Sequence, residues 1–120
     1  MLEIMQNMPD SVVAIRASGH VTGRDYEDVL IPAVESSLKR HEKIRVLYQL
    51  DRDFSGFTAG ALFDDARLGL RHRSAFEKIA IVTDADWIAK SAHFFSLFVP
   101  CPVMIFGNHD ISVAKAWLLE

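Results

Sequence analysis

Residues 78–83, with the sequence KIAIVT, form a nearly unbroken apolar run. A short run of this kind is typical of a β-strand that is covered on both faces, as in a parallel sheet between helical layers. Branched strand-like segments lie before and after it, at residues 44–50 and 103–106, and helical patterns separate the three. Because parallel neighbours require a crossover connection, this order predicts consecutive β-α-β units.

The rest of the chain extends this alternation. Two short strand patterns at residues 2–7 and 12–18 flank the turn-forming residues 8–11, which predicts an antiparallel hairpin. Four stretches repeat apolar residues at three- and four-residue steps, as amphipathic helices do. These stretches are residues 22–39, 59–72, 87–98 and 111–118. The predicted fold is therefore α/β, a mixed five-stranded sheet made of the N-terminal hairpin and parallel β-α-β units, with four helices.

Two of the predicted helices carry special features. Pro32 is expected to kink or divide the first helix, because proline has no N–H to donate to the preceding turn. In the second helix, one face is marked by a recurring apolar set. Its members are Ala59, Leu62, Phe63, Ala66 and Leu70.

Length, charge and cysteine content narrow the class of protein. With 120 residues, of which half are hydrophobic, one domain spanning residues 1–120 is expected. Thirteen Lys and Arg against sixteen Asp and Glu give a formal net charge of −3, which argues against nucleic acid as a partner. No apolar segment reaches the roughly 18 residues of a membrane span, and no signal peptide is evident, so a cytoplasmic protein is expected. The single cysteine, Cys101, excludes an internal disulfide.

Candidate catalytic and metal-binding groups are few. Asp51, Asp53 and Asp64 lie near the predicted carboxyl end of a parallel strand, where α/β folds place their sites. They would suit a metal-dependent enzyme or a small hydrolase, but no nucleophile, base and orienting group can be traced with them. Asp64 and Asp65 point about 100° apart on a helix and are expected to be solvated charges. The sequence therefore predicts no catalytic residue, no metal site and no cofactor.

Three stretches of the sequence resemble the SpoIIAA-like family, a branch of the STAS domains. They are DFSGF at residues 53–57, AIVTDADW at residues 80–87 and AKAWL at residues 114–118. Together with the order of elements, the resemblance spans almost the whole chain. It implies a STAS-type fold and a non-enzymatic regulatory module that works through protein contacts.

The resemblance also singles out Ser55. In anti-sigma-factor antagonists of the STAS class, the loop after the third strand carries Asp-Ser-Ser-Gly, and a partner kinase phosphorylates the second serine. Ser55 occupies that position, directly before Gly56, so the resemblance implies a phosphorylation site that is exposed at the start of a helix. Phe54 replaces the first serine of the motif, which changes the surface that a kinase or partner would meet. The alternative interpretation is a serine that only caps the helix or lies in the loop.

The third predicted helix has more apolar residues than a one-sided surface helix requires. They occur on more than one face, so something besides the sheet is expected to cover them. A second subunit is the favoured interpretation, with Phe94 and Phe98 in the interface of a homodimer. The alternative is a small apolar ligand, which a likeness to the lipid-carrying CRAL-TRIO domains also implies. Its walls would be Phe54, Phe57 and Phe63 on one side and Trp87, His93 and Phe94 on the other.

Overall fold

The computed structural model contains seven strands and describes residues 1–6, 8–97 and 99–120, with the backbone alone at residue 95. The strands are β1 (Leu2–Ile4), β2 (Val12–Ala17), β3 (His20–Val21), β4 (Ile44–Leu50), β5 (Gly56–Phe57), β6 (Phe76–Val82) and β7 (Val103–Phe106). Five of them form one sheet in the order β1-β2-β4-β6-β7. The other two, β3 and β5, pair with each other as a separate parallel ribbon.

The central sheet is mixed in the way the sequence predicts. β1 runs antiparallel to β2, with Leu2 opposite Ala17, and all other neighbours are parallel. Within β6, Ala80 and Val82 are buried and Ile79 and Ile81 are half-buried, as expected for a strand covered on both faces. The predicted α/β fold is confirmed.

Four helices accompany the sheet, as predicted. Helix α1 passes through three consecutive stretches, Gly23–Asp25, Tyr26–Leu30 and Ile31–Arg40. The others are α2 (Ala59–Arg71), α3 (Asp86–Ser96) and α4 (Ile111–Leu119). Each parallel step moves the chain in the same direction across the sheet, so right-handed crossovers place α1, α2 and α3 on one face. Helix α4 covers the opposite face, where Ala114 and Leu118 pack against Leu47 and Ala80.

Helix α1 is divided into segments just before Pro32. A π-helical stretch at Tyr26–Leu30 ends there, and an α-helical stretch begins at Ile31 with Pro32 in its first turn. Proline cannot donate to the carbonyl four residues earlier and its ring crowds that carbonyl, and a local i→i+5 turn relieves both problems. The N–H of Ile31 accordingly donates to the carbonyl of Tyr26.

The β3-β5 ribbon has no counterpart among the sequence predictions. Each of its strands has two residues, which is too short to display a period. The ribbon begins where the N–H of Ser55 donates to the carbonyl of Gly19 at 2.8 Å, and Gly56 follows with φ of +146°. This ribbon positions the loop between β4 and α2.

Candidate functional site

The loop between β4 and β5 leaves the carboxyl edge of the parallel sheet and carries Ser55. The Ser55 side chain is exposed, and its hydroxyl makes no hydrogen bond within the part of the chain that the structure describes. Ser55 does not lie at a helix start, however. The N-cap of α2 is Thr58, whose Oγ1 accepts a hydrogen bond from the N–H of Ala61 at 3.1 Å. The expectation of a helix start was therefore wrong, because the short strand β5 separates Ser55 from the cap.

Three of the predicted pocket residues come together beside this loop. The ring centroids of Phe54 and Phe57 are 4.9 Å apart, and Phe54 stacks on Trp87 at 6.4 Å. Phe54 and Phe57 are half-buried against the core, while Trp87 at the start of α3 remains 54% exposed. This aromatic cluster joins the Ser55 loop to α3.

The other three predicted pocket residues are exposed, namely Phe63, His93 and Phe94. Phe98, which was predicted for the homodimer interface, lies outside the described residues. Two shallow cavities, of about 290 and 280 Å³, lie instead beside β1 and the following turn. Neither is lined by the aromatic cluster.

Helices α2 and α3 both turn large apolar side chains outward. On α3 and just beyond it these are Trp87, Phe94 and Leu97, the last two being 65% and 74% exposed. On α2 they are Leu62, Phe63 and Leu70, each more than half exposed. The apolar set that marks α2 in the sequence therefore faces solvent, and the buried face consists of Ala61, Asp64 and Leu68.

Helices α1 and α2 approach each other closely near the start of α2. A Cβ added at Gly23 would lie 3.3 Å from Oδ2 of Asp64 and 3.3 Å from the carbonyl carbon of Gly60. The inner side of α2 therefore has room for small residues such as Ala61 near this crossing. Leu68, two turns farther along, is the large apolar side chain of the buried face.

The carboxylates considered for catalysis are separated. Asp51 lies 3.9 Å from the guanidinium of Arg16, Asp53 is exposed and Asp64 is buried against α1. Among the described residues, no three His, Cys, Asp or Glu side chains are placed to share a metal ion.

Asp65, expected to be a solvated charge, instead joins two tyrosines in a network that the sequence analysis missed. Its Oδ1 accepts a hydrogen bond from the Tyr26 hydroxyl at 2.8 Å, and the Tyr48 hydroxyl lies 2.9 Å from that of Tyr26. Burial raises the pKa of Asp65, of Tyr26 and of Tyr48. The three residues lie on different elements far apart in the chain, so no local sequence pattern predicts that they interact.

Asn108 closes the carboxyl edge of the sheet. Its side-chain amide donates to the carbonyl of Leu50 at 3.0 Å and to Asp84 at 3.1 Å, while Gln49 donates to its oxygen at 2.8 Å. The backbone N–H of Asn108 also donates to Asp84 and lowers the pKa of that carboxyl. The hydrogen-bonding capacity of these polar groups is used within the group. Their role at this edge is therefore structural, and they connect the ends of β4, β6 and β7.

Comparisons with known proteins agree with this architecture. A family model for SpoIIAA-like proteins matches residues 12–119. A similar solved structure is that of an uncharacterised protein from Shewanella loihica PV-4 with a SpoIIAA-like fold. The two sequences are 27% identical, the TM-score is 0.78, and the match covers 98% of this chain and 93% of the other. No curated protein matches the sequence. Among the described helices, none has the length and hydropathy needed to cross a bilayer.

Proposed function

Because the chain belongs to the SpoIIAA-like family, we propose that it is a non-enzymatic regulatory module of the STAS type that works through protein contacts. Domains of this kind generally act by binding other proteins rather than by catalysis. The observation that carries the proposal is the exposed apolar face of α3, which adjoins the Ser55 loop through the stack of Phe54 on Trp87. Exposed aromatic side chains that lie close together are a common mark of interaction surfaces.

Self-association is the first contact that we propose for the α3 face. Trp87, Phe94 and Leu97 supply its apolar area, and Asp86 and Lys90 are the acidic and basic side chains exposed on the described part of the helix. A face with so little charge can meet its own copy across a two-fold axis without strong repulsion. A homodimer would thus cover the apolar residues that the sheet leaves exposed.

We further propose Ser55 as the regulatory position. A phosphate there would add roughly two negative charges beside the aromatic cluster, at one end of the α3 face. Any contact at this face that brings another negative charge near the phosphate would then be weakened by repulsion. The exposure of Ser55 and its unbonded hydroxyl within the described chain support access by a kinase.

Sedimentation velocity tests the α3 contact. The double variant Phe94→Ser, Leu97→Ser should shift the protein toward monomer while its circular dichroism spectrum stays folded, because both side chains are more than half exposed. The matched control is Val113→Ser, Leu119→Ser, which removes similarly exposed apolar groups from α4 on the opposite face. A wild-type protein that stays monomeric at high concentration would remove self-association from the proposal.

A carrier or sensor of a small apolar ligand is the second candidate. The aromatic cluster of Phe54, Phe57 and Trp87 favours it, because these rings are three of the six predicted wall residues. Such a ligand would have to enter between α3 and the sheet. Quenching of Trp87 fluorescence by an apolar ligand would separate the two candidates.

A further inference from the structure

Helix α2 presents two parallel rows of side chains to solvent. The leucine ridge consists of Leu62, Ala66 and Leu70, and the arginine ridge consists of Phe63, Arg67 and Arg71; all six are exposed. Residues four apart stack along a helix, so each ridge follows one i, i+4 row. Ala66 is small and stands between two leucines, which leaves a hollow in the middle of the leucine ridge.

The charges of α2 are sorted between its inner and outer sides. The outward cations are Arg67, Arg71 and, in the turn that follows, Arg73. The helix's carboxylates turn inward, since Asp64 is only 7% exposed and Asp65 accepts its hydrogen bond from a buried tyrosine. The carboxylates near the first two arginines, Asp64 and Glu35, lie 4.0 and 3.8 Å away, at the outer limit of an ion pair. The outer face of α2 is therefore positive in a protein whose net charge is −3.

Two arginines of the arginine ridge make side-chain contacts that position them. The guanidinium carbon of Arg67 lies 5.8 Å from the centroid of the Phe63 ring, within cation–π range. Arg71 reaches toward Glu35 of α1, which places the arginine ridge on the side of α1 and the leucine ridge on the side away from it. The face thus has one cationic edge and one apolar edge.

We propose that this ridged face of α2 is a docking surface for an acidic amphipathic helix of a protein partner. The apolar side chains of such a helix would enter the hollow at Ala66, and its row of Asp or Glu would lie along Arg67 and Arg71. The 13 residues of α2 span about 20 Å, which matches a partner helix of three to four turns. The inference rests on the proposed function as a protein-contact module and names the chemistry of one partner.

Other occupants fit the charge pattern less well. A second copy of this chain would bring the same arginines against one another, which costs free energy at a contact. Helices that lie on membranes carry cations across their polar face, whereas here the cations follow one side of the apolar ridge. One amphipathic helix with a row of acidic residues beside its apolar face would match both the arginine ridge and the leucine ridge.

Two synthetic helical peptides of about 18 residues test the inference by fluorescence anisotropy. They share one leucine and alanine face and differ only in carrying Glu or Lys along its edge. The Glu peptide should bind about tenfold more tightly than the Lys peptide at low salt, and the difference should shrink as salt is added. Arg67→Glu, Arg71→Glu should reverse the preference, and Leu62→Ser, Leu70→Ser should weaken binding of both peptides.

Lys115→Glu is the charge control, because this lysine lies on α4, which covers the face of the sheet opposite α2. Equal binding of the two peptides, or no binding of the Glu peptide at about 1 mM, would overturn the inference. So would binding to phosphatidylglycerol vesicles without binding to the Glu peptide, which would point to a membrane surface. Sedimentation of the Arg67→Glu, Arg71→Glu variant distinguishes failure of this inference from failure of the proposed function. Self-association through α3 should persist in this variant.

Discussion

The Tyr26 hydroxyl donates a hydrogen bond to Oδ1 of Asp65 across 2.8 Å and so joins α1 to α2. Tyr48 extends this chain to the central strand β4, with its hydroxyl 2.9 Å from that of Tyr26. Tyr26 is almost completely buried and lies in the π-helical stretch of α1. Polar groups in such surroundings stabilise a fold only when they are paired, so this network has measurable consequences.

Removing the charge of Asp65 should stabilise the protein at neutral pH. Because burial raises its pKa in the folded state, the folded protein holds this proton more tightly than the unfolded chain does. The resulting stability is complete below the unfolded pKa and is lost as the pH rises through the folded pKa. Asp65→Asn keeps an oxygen for Tyr26, so the variant should unfold at a higher temperature than wild type near pH 7. The difference should disappear at about pH 3, and thermal unfolding profiles that coincide at all pH values would contradict this.

Tyr26→Phe should be destabilising, by about 1–3 kcal/mol, because it leaves both Asp65 and Tyr48 without their partner. Tyr48→Phe is the matched control. It removes only the end of the chain and leaves the bond between Tyr26 and Asp65 intact, so its cost should be about 0.5–1.5 kcal/mol. Urea unfolding measures the free energy of unfolding of both variants. Equal losses of stability would mean that Tyr26 has no central role in the network.

Gly56→Ala should lower the free energy of unfolding by about 1–3 kcal/mol. Gly56 has φ of +146°, a conformation that residues with a Cβ rarely adopt, although a Cβ there would meet nothing closer than 3.8 Å. The loss should therefore come from backbone strain rather than from a clash. Gly60→Ala is the control, since Gly60 is helical and a Cβ there makes only ordinary contacts; it should be neutral or stabilising by up to about 1 kcal/mol. Similar unfolding curves for the two variants would refute the assignment of strain to Gly56.

Ser55→Asp should weaken self-association without loss of fold. If the α3 face meets its own copy, the added charge lies beside the contact and repels its counterpart, raising the dimer dissociation constant about tenfold at low salt. High salt should restore much of the affinity. Ser112→Asp, at an exposed position of α4 on the opposite face, serves as the control for added charge. An unchanged sedimentation profile for Ser55→Asp at low salt would count against a regulatory role of this loop.

A titration with fatty acids tests the ligand-carrier candidate. In a Trp117→Phe background, the remaining indole is Trp87, which stacks on Phe54 in the aromatic cluster. Burying about 300 Å² of an acyl chain would supply roughly 7 kcal/mol before association costs, so quenching with a micromolar dissociation constant is expected if the chain carries such a ligand. A flat titration across several chain lengths would leave the protein-contact module as the remaining proposal.

Local pattern in the sequence was enough to predict the sheet and the number of helices. The apolar run of β6 and the helical spacings around it are properties of neighbouring residues, and the handedness of crossovers then leaves few ways to arrange them. Turn chemistry in the same way predicted the hairpin of β1 and β2. The cap of α1 was also predictable, because Thr22 and Asp25 form it within four residues of sequence.

What only the tertiary structure decided is how these elements face one another. The apolar set of α2 predicted a helix, but most of that set faces solvent while Ala61, Asp64 and Leu68 are buried, and this depends on the elements that pack beside the helix. The ring contacts of Phe54 with Phe57 and Trp87, the pairing of Asp65 with Tyr26, and the short ribbon that separates Ser55 from the cap of α2 have the same origin. A periodic pattern reports that a face is apolar, whereas burial and pKa depend on neighbours that are distant in the chain and meet only when the core packs.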